Sequence, residues 1–259
     1  MKVVYTAAEL KNVVPPHSGF VPTMGALHEG HLSLVRLSNA QSSCTVVSIF
    51  VNPTQFNDPA DFEKYPVTIE KDLALLEKEG CGIAFVPSGA EIYPAGYRAP
   101  HYELGYLENI LEGKYRPGHF QGVCQVMDRL LHMVKPARLF LGSKDYQQCL
   151  VIKKLVSLLQ LPVEVIQGSI IREPSGLAMS SRNARLSGNG REKAAAVFHA
   201  LQNYTDTTTV RASLLQAGFE KIDYVEEVDG QTLLPPGKLV LVAAFLEGVR
   251  LIDNHMCIN

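Results

Sequence analysis

Runs of consecutive apolar residues, most of them β-branched or aromatic, recur along the first two thirds of the chain. Residues 45–51 form one such run, in which polar and apolar positions do not alternate. A continuous run of this kind is typical of a strand that is buried on both faces of a parallel sheet. Similar short runs occur at residues 19–21, 83–86, 138–141 and 163–166.

Between these runs lie segments in which apolar residues recur with the period of a helix. These segments cover residues 31–40, 69–79, 125–134 and 146–159. The regular alternation of predicted strands and helices indicates a doubly wound, Rossmann-like α/β fold with a parallel sheet. We therefore predict one such domain over residues 1–170.

Beyond about residue 170 the pattern changes. Two predicted helices, at residues 191–204 and 210–217, precede three strand-like segments at residues 222–228, 239–245 and 249–252. Helices and strands that are segregated along the chain favour an α+β arrangement. We predict a smaller C-terminal α+β domain over residues 171–259.

The charge balance and the length of the apolar runs disfavour two classes of partner. Acidic residues number 26 and basic residues 24, so the net charge is −2, and no long run of either sign occurs. A nucleic-acid-binding protein would be expected to carry a basic stretch. The longest apolar runs, such as residues 239–246, fall far short of the roughly 20 residues that a bilayer-spanning helix needs. We expect neither a nucleic acid nor a membrane as partner.

The N-terminus and the cysteines bear on the compartment. The first residues lack the apolar centre of a signal peptide, and Glu9 follows soon after them. We therefore expect a cytoplasmic protein. The five cysteines are odd in number, scattered and never spaced as C-x-x-C, so the sequence indicates neither a disulfide framework nor a thiolate zinc site.

The most informative segment is Pro22-Thr23-Met24-Gly25-Ala26-Leu27-His28-Glu29-Gly30-His31, which follows the first predicted strand. In an open α/β sheet, ligands bind at the carboxyl ends of the strands, where helix N-termini present N–H groups to phosphate. His28 and His31 are three residues apart, so both could hydrogen-bond one phosphate chain. They could also be plain helix caps, whereas a metalloprotease zinc site needs a spacing of four. The segment resembles the H-x-G-H element of nucleotidyltransferases.

Three further segments carry candidate chemistry. Residues 52–56, Asn-Pro-Thr-Gln-Phe, end the run at 45–51, where Pro53 cannot continue a central strand. Residues 142–148, Gly-Ser-Lys-Asp-Tyr-Gln-Gln, place Lys144 at a helix start, where a bound phosphate would explain a cation better than the helix dipole does. Residues 176–183, Gly-Leu-Ala-Met-Ser-Ser-Arg-Asn, combine hydroxyls with a guanidinium, which suits phosphate oxygens. Taken alone, each segment could be ordinary turn chemistry.

In this order the four segments resemble the pantothenate synthetase family, whose pattern includes P-T-M-G-x-L-H-x-G-H, S-I-F-V-N-P-x-Q-F, G-x-K-D-x-Q-Q and M-S-S-R-N. The similarity extends to residues 91–94, 111–113, 116–120, 241–244 and 250–254. The resemblance implies a Rossmann-like fold of the nucleotidyltransferase type, with the small C-terminal domain covering the active site. It also implies a homodimeric, Mg²⁺-dependent ligase that uses ATP to condense pantoate with β-alanine. The reaction would pass through a pantoyl adenylate and release pyrophosphate and AMP.

The same resemblance assigns the ATP site to Ile171 and to residues from the first, third and fourth segments. The residues implied are Pro22, Thr23, Met24, Gly25, His28, His31, Gly142, Lys144, Asp145, Ile171, Met179, Ser180, Ser181 and Arg182. Four of them would stabilise charge during catalysis, namely His28, His31, Lys144 and Arg182.

The resemblance further assigns the pantoate site and a metal ligand. Gln55 and Gln148 would read the hydroxyls and the carboxylate of pantoate with their amides. Met24 and Phe56 would pack against its gem-dimethyl group. Asp72 would help to hold Mg²⁺.

Three positions depart from the family pattern, and two other functions stay open. Val67 and Gln121 stand where the family commonly has Arg, and Ser143 where it commonly has Glu. Class I aminoacyl-tRNA synthetases share a two-histidine turn and a Met-Ser-Ser loop, although a basic surface is lacking here. A regulator that binds ATP without turnover is the second alternative, which pyrophosphate release would exclude. Neither a G-x-S-x-G sequence nor a complete P-loop sequence occurs.

Overall fold

A computed structural model describes residues 1–257 of the chain, which form two compact units. The larger unit comprises Met1–Ser143 and Gln148–Gly168, and the smaller comprises Lys144–Gln147 and the described residues from Ser169 onward. The division of function at residue 170 stays a prediction, and residues 258 and 259 of the predicted C-terminal domain lie outside the described residues. Over residues 1–257, none of the helices has the length and apolar character needed to cross a membrane.

The larger unit is built on a six-stranded parallel sheet. Its strands are β1 Lys2–Val4, β2 Gly19–Thr23, β3 Thr45–Ile49, β4 Ile83–Phe85, β5 Arg138–Gly142 and β6 Glu164–Gly168. Their order is β1-β4-β3-β2-β5-β6, and every pairing is parallel. The predicted Rossmann-like, parallel α/β fold is therefore confirmed.

Helices connect these strands along the chain. They are α1 Ala7–Val13, α2 Glu29–Gln41, α3 Pro59–Glu63, α4 Ile69–Lys78, α5 Gly89–Ile92, α6 Leu111–Tyr115, α7 His119–Val134 and α8 Tyr146–Leu158. The α7 helix begins earlier than the predicted start at residue 125, because Gly118, with a φ of 79°, turns the chain directly into it. The sequence pattern also missed α1, which a reciprocal capping box between Thr6 and Glu9 begins.

Burial explains why the apolar runs form strands. All five residues of β3 are buried, and Phe20, Phe85 and Phe140 have less than 2% of their surface exposed. Burying one side chain of this kind contributes about 1.5–3 kcal/mol. The sheet is thus a rigid scaffold for the loops at its carboxyl edge.

The strand order places a topological switch point between β2 and β5. From β2 the chain continues to β3 and β4 on one side and later returns to β5 and β6 on the other. The pairs Thr23 with Ile49 and Gly19 with Arg138 fix the register of β2 with its two neighbours. In open α/β sheets, ligands bind in the crevice at such a point. The segments after β2, β3 and β5 are therefore the candidate site.

The smaller unit carries a three-stranded antiparallel sheet in the order β7-β8-β9. Its elements are α9 Gly188–Ala194, α10 Ala196–Gln202, α11 Thr207–Gln216, β7 Lys221–Val228, β8 Leu239–Leu246 and β9 Val249–Met256. Buried side chains of α10 and α11, such as Leu201 and Leu214, share one apolar cluster with Val240 and Val242 of β8. The predicted α+β arrangement is confirmed.

The single helix predicted over residues 191–204 is two helices in the structure, α9 and α10. Ala195 lies between them and keeps helical backbone angles, with φ −62° and ψ −17°. Its N–H donates to the Glu192 carbonyl at 3.2 Å. Donor and acceptor are three residues apart, as in a 3-10 turn, and not four as in an α-helix. The break between α9 and α10 is therefore a local change in the backbone hydrogen-bond pattern. Such a change does not alter the spacing of apolar residues, so the sequence did not predict it.

Candidate active site

The turn that follows β2 has a strained backbone. Gly25 and Ala26 both have positive φ, 83° and 50°, a conformation that disfavours residues with a Cβ atom. A Cβ atom at Gly25 would also lie 3.0 Å from Oδ2 of Asp72. The Thr23 hydroxyl holds the start of the turn, since it donates to the Ser48 carbonyl at 2.7 Å and accepts from the Gly25 N–H at 3.2 Å. The left-handed backbone of Gly25 and Ala26 needs further hydrogen bonds, which come from elsewhere in the fold.

Asp72 of α4 supplies that support. Its side chain is fully buried, and its carboxylate accepts hydrogen bonds from the N–H groups of Ala26 at 2.9 Å and Leu27 at 2.8 Å. The Thr68 hydroxyl donates to the same carboxylate at 3.1 Å. Successive N–H groups aimed at one carboxylate form an anion-binding nest. The chain that leads into His28 is thus held by a buried charge.

The role of Asp72 in holding Mg²⁺ stays a prediction, and the geometry favours the structural role instead. Mg²⁺ requires an octahedral shell of oxygen ligands with lone pairs directed at the ion. Both carboxylate oxygens of Asp72 already accept hydrogen bonds from N–H groups, and the side chain has no exposed surface. Within residues 1–257, no cluster of three or more His, Cys, Asp or Glu side chains is arranged to hold a metal ion. These residues do not fit a resident Mg²⁺ ion.

His28 and His31 cap the α2 helix reciprocally. His28 is the N-cap residue, and its Nδ1 accepts from the Gly30 N–H at 3.1 Å. Nδ1 of His31 accepts from the His28 N–H at 3.3 Å, and the two ring centroids are 4.1 Å apart. Because each Nδ1 is an acceptor, a neutral ring carries its proton on Nε2, which can then donate to a ligand. The two interpretations of this pair, helix caps and ligand contacts, are therefore compatible.

The segment after β3 forms a short 3-10 turn, Pro53–Gln55. Asn52, which is 1% exposed, donates to the side-chain carbonyl of Gln55 at 3.1 Å and to the backbone carbonyl of Gly122 at 3.1 Å. The Gln55 amide donates in turn to the sulfur of Met24 at 3.1 Å. Gln55 and Met24, both predicted to hold pantoate, are therefore in contact.

Phe56 and Gln148, the other two residues predicted to hold pantoate, follow the two strands that flank β2. Phe56 follows the turn after β3, and its ring packs edge-on against Phe62 and Tyr65, with centroids 5.3 and 5.7 Å away. Gln148 lies in the first turn of α8, the helix that follows β5. Since β3 and β5 flank β2, the four residues come from three adjacent strand ends.

Lys144 lies in a 3-10 turn, Ser143–Asp145, between β5 and α8. Its ammonium is 3.2 Å from the Asp145 carboxylate, and its side chain is 19% exposed. Asn254 of β9 donates to the Lys144 carbonyl at 3.1 Å. The cation at this helix start therefore has a carboxylate partner, so a bound phosphate is not the sole explanation for its presence.

In the smaller unit, the chain before α9 folds back on itself. Arg172 and Ala178 pair as an antiparallel bridge. The Met179 N–H donates to the Ile171 carbonyl at 2.9 Å. Ile171 and Met179, both predicted to bind ATP, are therefore joined by a backbone hydrogen bond. This pairing fixes the backbone from which the next turn, Ser181–Arg185, begins.

Those next residues form a second 3-10 turn, Ser181–Arg185, with Ser180 as its N-cap. The Ser180 hydroxyl accepts from the Arg182 N–H at 3.3 Å. The turn therefore gathers the three predicted triphosphate ligands of the fourth segment into one compact element. Each unit thus presents its own group of predicted ligands.

Asn183 anchors this turn, a role that the sequence pattern did not reveal. It is 2% exposed, and its amide nitrogen donates to the Ala178 carbonyl and the Glu173 carboxylate, both at 3.0 Å. The signal in the sequence was its place directly after the arginine of the M-S-S-R-N segment. Its partners lie several residues upstream and are visible only in the fold.

Asn183→Ala is expected to lower the free energy of unfolding by about 1–3 kcal/mol, because the buried Ala178 carbonyl loses this donor and the Glu173 carboxylate keeps only its bond from Arg191. ATP affinity should fall with it, since the Ser181–Arg185 turn loses its anchor. Urea unfolding and calorimetric ATP titration measure the two effects. Asn203→Ala is the matched control, since Asn203 makes one exposed hydrogen bond to the His199 carbonyl. Equal unfolding midpoints for the two variants would contradict the anchoring role.

The three departures from the family pattern are accommodated locally. Gln121 accepts from the Tyr102 N–H at 3.0 Å and donates back to the Tyr102 carbonyl at 2.9 Å. The Ser143 hydroxyl donates to the Gly168 carbonyl at 2.8 Å. Val67 is 68% exposed. The hydrogen bonds named here are made to Tyr102 and Gly168, which are not among the predicted ligand residues.

The parallel strand order, with polar segments after three adjacent strand ends at its switch point, defines a Rossmann-like α/β protein with a candidate ligand site at the carboxyl edge of the sheet. Comparison with known proteins makes this assignment specific. The chain belongs to the pantoate-beta-alanine ligase family, whose model matches residues 2–256. It is accordingly an enzyme, a ligase, and the resemblance seen in the sequence is confirmed.

Relatives match the chain over nearly its whole length. A protein named pantothenate synthetase from Cytophaga hutchinsonii is 46% identical, over 93% of this chain and 91% of its own. One from Cereibacter sphaeroides is 44% identical, over 97% and 98%. The crystal structure of pantothenate synthetase from Thermus thermophilus superposes with a TM-score of 0.94 at 40% identity, covering 99% of both chains.

A further solved structure has bound ligands. Pantoate-beta-alanine ligase from Francisella tularensis, complexed with beta-gamma ATP and beta-alanine, matches with a TM-score of 0.88 at 35% identity. The match covers 99% of this chain and 97% of that one. The observed fold is therefore the fold of the family over both units.

Proposed function

We propose that this chain condenses pantoate with β-alanine at the expense of ATP, through a pantoyl adenylate, and releases pyrophosphate and AMP. Family membership supports the proposal, as does the relative complexed with beta-gamma ATP and beta-alanine. The observation that carries it is the imidazole pair at the start of α2. Each Nδ1 is occupied by a backbone N–H, so each Nε2 is set as a donor near the carboxyl end of β2.

In the first step a carboxylate oxygen of pantoate attacks the α-phosphorus of ATP. The bond from the α-phosphorus to the bridging oxygen breaks, pyrophosphate leaves with the electron pair, and a mixed anhydride forms. Negative charge grows on the α-phosphate and on pyrophosphate, where positioned donors stabilise it. The residues assigned to this charge are His28, His31, Lys144 and Arg182, with the hydroxyls of Ser180 and Ser181 as neutral donors to the triphosphate.

In the second step the neutral amine of β-alanine attacks the acyl carbon of the adenylate. The acyl–oxygen bond breaks, AMP leaves, and the amine nitrogen gives up a proton as the amide forms. The anhydride is already a good acyl donor, so no protein nucleophile is required. An aliphatic amine has a pKa of about 10, so it must first lose its extra proton near neutral pH.

Pantoate recognition combines amide and apolar contacts. Gln55 and Gln148 supply amide groups that can pair with hydroxyl and carboxylate oxygens. Met24 and Phe56 supply apolar surface for the gem-dimethyl group. The contact between Gln55 and Met24 supports placing the polar and apolar parts of one small acid side by side.

Mg²⁺ is proposed as part of the substrate MgATP. Phosphate oxygens are ligands that this ion prefers, and it commonly keeps few protein ligands. Asp72 is then free to support the turn before His28, for which its hydrogen bonds are suited.

The test of the proposed function is pyrophosphate release from MgATP with D-pantoate alone, followed by addition of β-alanine. The expected result is pantoate-dependent pyrophosphate, with AMP and the amide appearing once β-alanine is present. A panel of other hydroxy acids is the control. ATP binding without turnover would instead support the regulator, and turnover with another acid would keep the chemistry and overturn the substrate.

We also propose that the chain forms a homodimer and acts in the cytoplasm, where ATP is available. Light scattering on the purified protein should give twice the mass of one chain. A single-chain mass at micromolar concentration would contradict the dimer.

A further inference from the structure

The turn after β3 is held by two side chains from the start of the α7 helix and the residues just before it. His119, which is 4% exposed, has its Nδ1 2.7 Å from the backbone carbonyl oxygen of Gln55. Arg116 donates to the same carbonyl at 3.3 Å, and its second terminal nitrogen lies 3.0 Å from Nε2 of His119. A carbonyl only accepts and a guanidinium only donates. The hydrogen bonds therefore select the neutral tautomer of His119 with its proton on Nδ1.

The carbonyl that these side chains hold belongs to the peptide unit between Gln55 and Phe56. The other side of that unit is held as well, because the Phe56 N–H donates to the Pro53 carbonyl at 3.3 Å. A peptide unit is planar, so fixing its carbonyl and its N–H fixes the Cα atoms of both residues. Gln55 and Phe56 are two of the four residues assigned to pantoate.

Close packing leaves this turn little freedom to shift. A Cβ atom at Gly122 of α7 would overlap the Thr54 carbonyl and lie 2.9 Å from the Gln55 nitrogen. The Gly122 carbonyl also accepts from the Asn52 amide at 3.1 Å. Helix and turn therefore meet backbone to backbone. His119 lies within one helical turn of that contact, and Arg116 lies just before the helix begins.

The charge of Arg116 is balanced within the same cluster. The Glu112 carboxylate, whose side chain is 8% exposed, lies 3.5 Å from the Arg116 guanidinium. A partly buried ion pair of this kind fixes the direction of the planar guanidinium. Arg116 can therefore donate to the Gln55 carbonyl without bringing an unbalanced charge to the substrate carboxylate.

On its other side the turn is held by neutral donors. The Tyr93 hydroxyl donates to the side-chain oxygen of Asn52 at 2.8 Å. Burial raises the pKa of the Tyr93 phenol, so the phenol remains a donor through the neutral range. Asn52 keeps its amide nitrogen directed at Gln55, whose own amide nitrogen then points to Met24.

We propose that Arg116 and His119 are positioning residues for the subsite that binds the carboxylic-acid substrate. They act through the Gln55 carbonyl, which sets the Gln55 amide and the Phe56 ring relative to β3. They determine affinity for the acid and leave affinity for the nucleotide unchanged. The inference rests on the proposed function, in which Gln55 and Phe56 hold pantoate.

The test is steady-state kinetics of His119→Leu and Arg116→Lys, with pantoate and MgATP varied separately. Loss of one of two hydrogen bonds to a partly buried carbonyl changes an equilibrium by up to about tenfold, so KM for pantoate should rise by about that factor. KM for ATP and kcat at saturating pantoate should stay within about twofold of the wild type.

Two further variants make the readout selective. His119→Asn places an amide nitrogen close to the position of Nδ1, so it should restore most of the affinity for pantoate. His132→Asn is the matched control, since His132 lies on the same helix and is 54% exposed. A merely structural role would not give a substrate-selective loss that Asn repairs.

An unchanged KM for pantoate in both His119→Leu and Arg116→Lys overturns the inference, and so does a parallel rise in both KM values. Arg116→Lys keeps the positive charge at a side chain that is 22% exposed, so we expect this variant to fold. It therefore tests the inference even if His119→Leu does not fold. Wild-type enzyme is assayed first. Absence of pantoate-dependent product there would overturn the proposed function itself, which separates the two failures.

Discussion

Lys144→Ala is expected to slow pantoate-dependent pyrophosphate release by about 10²–10³-fold, the usual loss when one donor to developing charge is removed. This corresponds to about 3–4 kcal/mol of transition-state stabilisation. Two effects contribute. The cation is lost, and Asp145, whose carboxylate lies 3.2 Å from the ammonium, is left to repel an incoming phosphate.

The measurement is a single turnover with pantoate and MgATP in the absence of β-alanine, so that adenylation alone is observed. Lys153→Ala is the matched control, because Lys153 is an exposed residue of α8 whose ammonium lies 2.9 Å from the side-chain oxygen of Gln167. The double variant Lys144→Ala with Asp145→Ala separates loss of the cation from repulsion by the carboxylate. Near-normal adenylation in Lys144→Ala would show that the assignment of Lys144 is wrong.

Asp72→Ala is expected to lower the free energy of unfolding by about 3 kcal/mol or more and to reduce activity. The N–H groups of Ala26 and Leu27 would lose their acceptor at a site without solvent, and each such loss costs about 1–3 kcal/mol. The positive φ of Ala26 would then lack the bond that maintains it. His28 would leave its capping position as the turn relaxes.

Urea unfolding in the presence of EDTA distinguishes this role from metal binding. A residue that supports the turn contributes to stability without any metal, whereas a Mg²⁺ ligand does not. Glu70→Ala is the control, because Glu70 lies on the same helix and is exposed. Wild-type stability of Asp72→Ala in EDTA, together with a higher Mg²⁺ requirement for turnover, would favour the metal ligand.

Much of the larger unit could be predicted because its strands are buried on both faces, which leaves a clear apolar run in the sequence. The β1 strand escaped prediction because it has only three residues and begins with the exposed Lys2. Short helices such as α3 and α5 begin at the side-chain caps Asp58 and Ser88. They are too short to show a periodic pattern of apolar residues. Local hydrogen bonds of this kind leave little trace in a hydrophobic pattern.

The candidate site divides in the same way. His28, Gln55 and Lys144 could be located because each follows a strand, and position after a strand is a property of local sequence. The partners of those segments could not, since Asp72 and His119 reach them through space from distant helices. A single sequence shows that R-P-G-H-F is present but not which carbonyl its imidazole holds.

The turn after β2 differs in one respect from glycine-rich loops that cradle phosphate with backbone N–H groups. The N–H groups of its residues Gly25, Ala26, Leu27, His28 and Gly30 donate to protein acceptors. Backbone N–H donors remain after almost any side-chain substitution. The imidazole donors of His28 and His31 are lost when the histidine is replaced. His28→Asn, for example, would retain an N-cap acceptor and lose the Nε2 donor. If His28 and His31 hold ATP as proposed, a single substitution at either position changes nucleotide affinity while the backbone of the loop stays the same.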